Sequence, residues 1–288
     1  MRRLAGLMLA LLLAACVRAP EPQPVRPAFW QVQGPKGETA WLFGTIHSLD
    51  RPADWRSETV GNALARADRI VVEIDNLADD AAMSETFARL ATSPGQPRLS
   101  QRVRPELRDK LATLLERGAM TQSQFDSTET WAAALILARI GGEELDARNG
   151  IDRAVIEAAG SRPVVELEGA ALQLGIFDRL PESEQRDLLN IVVADTDSLD
   201  GESERLADTW RKGDMLAIEQ ETHTGLLADH ELREALFSRR NRAWVEQIVA
   251  MLDRGRRPFV AVGAAHMAGP EGLPAMLEAR GYKVTRVQ

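Results

Sequence analysis

Trp41-Leu42-Phe43-Gly44-Thr45-Ile46-His47 (WLFGTIH, residues 41–47) is the stretch whose reading decides the fold. It opens as an apolar, strand-like run, breaks at Gly44 and delivers a histidine three residues later. Phe259 to His266 (FVAVGAAH) repeats the device, with Gly263 at the break and His266 beyond it. The chain has only four histidines, and two of them occupy this position. A glycine where strand passes to loop lets the backbone turn and lets a ligand approach closely. If the two strands run parallel, both imidazoles emerge at one sheet edge, where ligands of α/β proteins gather.

Reading outward, residues 29–44 form two β-prone runs around Gly34-Pro35-Lys36-Gly37, a hairpin pattern. ADWRSETVGNALARA (53–67) has helical spacing, and DRIVVEID (68–75) is a short strand rich in Val and Ile. From Asp79 to Ser161 the pattern is helical, with a helix ending at Gly118 and another opening on a capping-box pattern at Ser127–Thr130. RPVVELEG (162–169) reads as a strand, a second helical block runs from Ala170 to about Arg254, and YKVTRV (282–287) closes the chain. Strands alternating with helices predict an α/β fold. Its central mixed, partly parallel sheet is flanked by helices, and helical insertions cap a site at the strand ends. Residues 28–288 read as one domain.

The N-terminus differs. Arg2 and Arg3 precede an apolar run, Leu4–Ala15, which is too short to span a bilayer and reads as a signal peptide, residues 1–15. Leu13-Ala14-Ala15-Cys16 resembles a bacterial lipobox, which implies cleavage before Cys16, the sole cysteine, and lipidation of its thiol. Residues 16–27, with prolines at 20, 22, 24 and 27, then form an extended tether. The expected location is the bacterial cell envelope, lipid-anchored and periplasm-facing. Val17 lacks the acidic character that would retain the protein at the inner membrane, so the outer membrane is favoured.

The net charge of −8 and the lack of a basic stripe with interleaved aromatics exclude a nucleic-acid binder. Strand alternation puts Val71, Glu73 and Asp75 on one face of the 68–75 strand, and Glu166 and Glu168 share a face of the 162–169 strand. A glutamate within so apolar a strand is costly to bury unless a cation, a metal or hydrogen bonds partner it. Two histidines with such carboxylates suit a divalent ion of the Zn, Mn, Co or Fe type. They also suit a metal-free His–Glu acid/base site. His223 and His230, seven apart, lack an acidic ligand set and read as surface or cap residues.

LFGTIHSL, VVEID, GIDRAVIEAAGSRPVVELEGAALQLGIFDRLP, RRNRAWVEQI and FVAVGAAHMAGPEGLPAMLEARGYKVTRV together resemble successive blocks of the TraB/GumN family. That family belongs to a wider group with Tiki-type metal-dependent membrane peptidases, erythromycin-esterase-like hydrolases and haem-binding lipoproteins. The resemblance implies one site built from both Gly-x-x-His elements. His47, Glu73 and His266 would hold a divalent metal (Mn, Co or Zn), with His47, Glu73 and Glu168 as catalytic residues. Asp152 of the GID block and Arg240 and Asn241 of the RN element would bind substrate, Arg240 facing the developing oxyanion. Here the usual GLET block reads ELEG, with Glu166 for Gly and Gly169 for Thr. The implied function is an envelope-anchored, metal-dependent hydrolase, most simply a peptidase, acting on a peptide or small molecule. The alternatives are a metal-independent hydrolase in which Glu73 orients His47, and a non-catalytic haem- or metal-binding lipoprotein. Tyr282, the single tyrosine, makes a Tyr-ligated haem a poor match.

Overall fold

The 41–47 stretch lies in the middle of a six-stranded sheet. A computed structural model of the chain describes residues 23–75, 80–141, 146–195 and 202–288. The strands are β1 (Phe29–Gln33), β2 (Thr39–Thr45), β3 (Arg69–Val72), β4 (Val164–Glu166), β5 (Pro258–Gly263) and β6 (Lys283–Arg286). Their spatial order is β4-β3-β5-β2-β1-β6. The four strands from β4 to β2 are parallel, and β1 and β6 add antiparallel pairs at the other side. This is the expected mixed, partly parallel α/β sheet.

The register answers the question raised by the two Gly-x-x-His stretches. Thr45 lies opposite Gly263 and Val72 opposite Ala261, so β2, β3 and β5 end side by side. β2 does not break at Gly44; it continues through Thr45, and the Gly44 amide donates to the Ala28 carbonyl at 3.1 Å. Gly44 is required for closeness instead, since an added Cβ would sit 3.1 Å from the Ala264 Cβ.

Strand periodicity builds two cores from one sheet. Phe29, Trp41, Phe43, Ile70 and Phe259 pack on one face with α1 (Glu58–Arg66), α2 (Ile151–Glu157) and α3 (Glu202–Lys212). Trp30, Val32, Leu42, Val71 and Val260 pack on the other with α4 (Arg239–Asp253) and α5 (Leu273–Ala279). Both faces are covered, which is why the central strands read as continuous apolar runs rather than alternating ones.

A third apolar cluster, including Leu111, Phe125, Trp131 and Leu188, forms a helical lobe from the segments inserted after β3 and after β4. Its helix 130–141 begins at Thr130, where the Glu129 amide is already bonded to the Ala91 carbonyl, rather than on a box at Ser127. Arg102 is a staple of this lobe, donating to the carbonyls of Pro97, Phe125 and Thr128.

The proline-rich segment joins the domain earlier than its composition suggests. Gln23–Pro24 pairs in parallel with Ala53–Asp54, and Val25 is buried. The signal-peptide run and Cys16 lie outside the described residues. Among those described, no helix is long and apolar enough to cross a membrane.

Candidate active site at the strand ends

His47 leaves β2 two residues past its end, and its Nδ1 lies 2.6 Å from Oδ2 of Asp152, in the first turn of α2. The other Asp152 oxygen accepts from the Thr45 hydroxyl, whose side chain is buried beneath it. This carboxylate thus fixes the ring from its inner side. The His47 side chain is 68% exposed, and Nε2 has no partner among the described residues. The Asp152 carboxylate raises the His47 pKa to about 9; burial works against the shift, and Glu73 adds to it.

Glu73 follows β3 directly and is buried. One oxygen accepts from the Gly263 amide at 2.8 Å and the other from Arg240 Nη2 at 2.8 Å. Burial pushes this carboxyl up, but the cations facing it, His266 once acid protonates it and His47 and Arg240 already at neutral pH, together with the Gly263 amide, outweigh burial and hold it down at about 2.

Arg240 extends from α4 with every N–H engaged. Nε donates to both Glu168 oxygens at 3.0 Å, and Nη2 to Glu168 Oε2 at 2.9 Å and to Glu73. Nη1 donates to the Leu236 carbonyl at 3.1 Å and faces His266 Nε2 at 3.2 Å. Trp244, one turn on, lies under the guanidinium at 4.7 Å and donates its indole N–H to Glu168 Oε1 at 2.9 Å. A fork geometry is what permits one cation to neutralise two carboxylates at once. Arg240 therefore has no donor left for a substrate oxyanion, the role its resemblance implied.

His266 and His47 reach the same place in different states. His266 is buried between Phe237, stacked at 5.3 Å, and Trp244 at 4.4 Å. Asn241 donates to the Glu271 carbonyl at 2.7 Å, so its oxygen is the acceptor for His266 Nδ1–H at 2.6 Å. That leaves Nε2 as the acceptor from Arg240. Burial pushes the His266 pKa down, to about 3, with Arg240 and His47 adding to it and Glu73 opposing. The ring is neutral at pH 7. Asn241 thus positions His266 and does not face the cleft.

Gly263 keeps the centre open. A Cβ there would lie 3.4 Å from Glu73 Oε1, 3.7 Å from His47 Nε2 and 3.8 Å from the His266 ring. The adjoining cleft, about 250 Å³, is lined by His47, Glu73, Asp152, Arg153 and Gln173 over Val72 and Ile74. A second cleft of about 650 Å³ has Leu172, Ile176 and Trp244 in its wall, together with Glu168 and Arg240.

The donor set argues on whether a metal fits. The rings and carboxylates of Glu73, Glu168 and His266 are committed to Arg240, Gly263, Trp244 and Asn241, which leaves His47 Nε2 as the one free nitrogen of the set. The only described His, Cys, Asp and Glu side chains that bring three ligand atoms within 4.8 Å of one another are Glu184, Asp229 and Glu231, of which Glu184 and Glu231 line the larger cleft. As arranged, His47, Glu73 and His266 do not fit a divalent ion, because the Arg240 guanidinium already supplies the cation.

The ELEG departure has a local account. Gly169 adopts φ 78°, a left-handed conformation that favours glycine, and an added Cβ would lie 2.7 Å from the Glu166 carboxylate. Glu166 and Gly169 therefore go together. Glu166 itself is exposed, and burial followed by the nearby Asp75 charge raises its pKa. His223 and His230 are exposed, as read from the sequence.

All seven residues singled out (His47, Glu73, Asp152, Glu168, Arg240, Asn241 and His266) belong to one connected cluster. Thr45 and Trp244 were missed as members, whereas Gly263 stands where the sequence placed a close ligand approach. Trp244 had a signal, since it follows Arg240 by four residues and Asn241 by three, the spacings at which helix side chains are neighbours.

These features define an α/β protein with a strand-end cluster of His, Glu, Asp and Arg. The chain belongs to the TraB/PrgY/gumN family, which matches residues 28–286. It is 28% identical over 249 residues to YbaP of Shigella flexneri, covering 84% of this chain and 89% of that one. It is 28% identical over 242 residues to YbaP of Escherichia coli K12, covering 82% and 86%. A Treponema pallidum protein is 25% identical over 264 residues, covering 85% and 78%. All three carry the description "uncharacterized protein". No solved structure matches the chain.

Proposed function

We propose that the cleft is the active site of a metal-independent hydrolase whose general base is His47. The observation that carries this reading is the 2.6 Å contact from Asp152 to His47 Nδ1, with Nε2 left unpartnered in the cleft. A base held on its inner nitrogen by a carboxylate presents its outer nitrogen in a fixed direction. Water attacks the substrate carbonyl carbon while His47 Nε2 takes its proton. As the carbon–leaving-group bond breaks, the imidazolium returns that proton to the leaving group, and Asp152 stabilises the charge meanwhile. Glu73, held in place by Arg240 and the Gly263 amide, forms the fixed wall against which the substrate is held. In this reading Asp152, rather than Glu73, orients the base.

The test is turnover of matched p-nitrophenyl esters and p-nitroanilides, with and without a strong chelator. Chelator-resistant turnover that is lost in His47→Ala supports the proposal. Turnover that requires added Mn, Co or Zn supports the metal-dependent peptidase reading instead. No turnover across the panel, with a Soret shift on haem titration, supports a binding lipoprotein.

For location, we propose anchoring at the envelope through lipidated Cys16, on the lipobox pattern Leu13–Cys16. Membrane fractionation of wild type against Cys16→Ser tests this, release of the variant into the soluble fraction being the expected result.

A further inference from the structure

Gln173 lines the same cleft as His47, Glu73 and Asp152, and its side-chain oxygen is buried without a hydrogen-bond partner. Such orphans are rare in native folds, because a buried acceptor with no donor loses its hydration for nothing. Its position is not loose. The amides of Glu168 and Gly169 both donate to the Glu73 carbonyl, at 3.2 and 3.1 Å, which ties the start of the helix Ala170–Asp178 to the end of β3. The Gln173 amide, one turn in, donates to the Gly169 carbonyl at 3.1 Å. A rigid helix thus carries Gln173 into the cleft, while its neighbours Leu172 and Ile176 line the other one.

We infer that Gln173 is a ligand-binding residue whose side-chain carbonyl receives an N–H of the bound molecule, so that this cleft selects amide-bearing ligands over ones that lack the donor. Glu73, Glu168 and Asp152 already hold their donors from protein groups, whereas the Gln173 oxygen does not. A site that buries an acceptor rejects ligands lacking the matching donor, because the acceptor then stays unpaired in the complex. The inference rests on the proposed active site for its location, and its test does not depend on turnover.

The experiment compares wild type with Gln173→Met, which keeps a similar volume and removes the carbonyl. The first readout is the thermal melt of the full chain without ligand. Removing an unpaired buried acceptor should raise the midpoint by about 2–4 °C. The second is NMR-monitored binding of N-acetylalanine methylamide and of its di-N-methylated form, which keeps both carbonyls and loses both N–H donors. Wild type should bind the first about tenfold more tightly than the second. In Gln173→Met that preference should vanish. A lowered melting midpoint in Gln173→Met, equal binding of the two probes by wild type, or no binding of either overturns the inference. Selective binding without hydrolysis would leave the inference standing and count against the hydrolase reading.

Discussion

His47 Nδ1 lies 2.6 Å from Asp152 Oδ2, across 105 residues of sequence, and it is the Asp152 charge that makes this histidine basic. In Asp152→Asn the carboxylate charge is gone, so the His47 pKa should fall from about 9 toward its ordinary 6.5. NMR titration of the ring reports this directly. If His47 is the base, its active form is the deprotonated one, and kcat/KM should rise with pH through the His47 pKa. The rising limb of wild type should move to lower pH in Asp152→Asn, with the plateau reduced by roughly 10²- to 10⁴-fold. A limb that stays in place means that His47 is not the base.

The two site histidines should differ in what they do for stability. His47→Ala removes an exposed ring but also one of the two partners of buried Asp152, and should cost about 1–2 kcal/mol. His266→Ala opens a cavity between Phe237 and Trp244 and strips Asn241 and Arg240 of a buried partner, which should cost roughly 3–5 kcal/mol. Urea denaturation at pH 7.5 separates the two. Equal small losses would mean that the ring is not packed.

His266 also dictates the acid side of the stability curve. Its folded pKa, about 3, lies below the unfolded value of 6.5, so the unfolded chain binds the proton more readily. The stability it contributes is present above pH 6.5 and is lost as pH falls toward 3. Glu73, at about 2 against 4.5, begins to add its own loss only below pH 4.5. Between pH 6.5 and 4.5 the slope should therefore be flatter in His266→Gln than in wild type, even though the variant is weaker at neutral pH. An unchanged slope in that window would assign the acid sensitivity to other groups. His47 acts in the opposite direction, because its pKa is raised: its contribution is full below pH 6.5 and fades toward pH 9.

Arg240 should be irreplaceable by another cation. Arg240→Met leaves buried Glu73 and partly buried Glu168 without the cation they share, which should cost roughly 3–5 kcal/mol. Arg240→Lys supplies the charge and not the fork, so it should recover only part of the loss. Full recovery of the melting midpoint by lysine would show that charge alone matters here.

Two glycines that look alike in sequence should fail differently. Gly44→Ala pushes a methyl to 3.1 Å from the Ala264 Cβ inside the sheet core and should cost roughly 1–3 kcal/mol. Gly263→Ala meets nothing closer than 3.4 Å, so the fold should hold within about 1 kcal/mol. Its methyl fills the space between Glu73, His47 and His266, and activity should drop at least about tenfold. Thermal melts beside turnover assays check both, and an active Gly263→Ala would place the reacting centre elsewhere.

The strands and the two Gly-x-x-His elements were legible in the sequence because they are local. A run of Trp41, Leu42 and Phe43, or of Phe259 to Val262, has only one way to hide its apolar side chains, between helices on both faces of a sheet. The helical insertions were legible for the same reason, through their 3.6-residue spacing. Parallel strands in one register then send His47 and His266 to one edge with little freedom to do otherwise. Partnership is another matter. That Asp152 takes His47 and Arg240 takes Glu73 spans 105 and 167 residues, and the residue types alone permit several other pairings. The sequence made the two histidines equivalent; tertiary packing made one an exposed, basic imidazole and the other a buried, neutral one. Charge state is set by burial and by the nearest opposite charge, and both exist only once the chain has closed on itself.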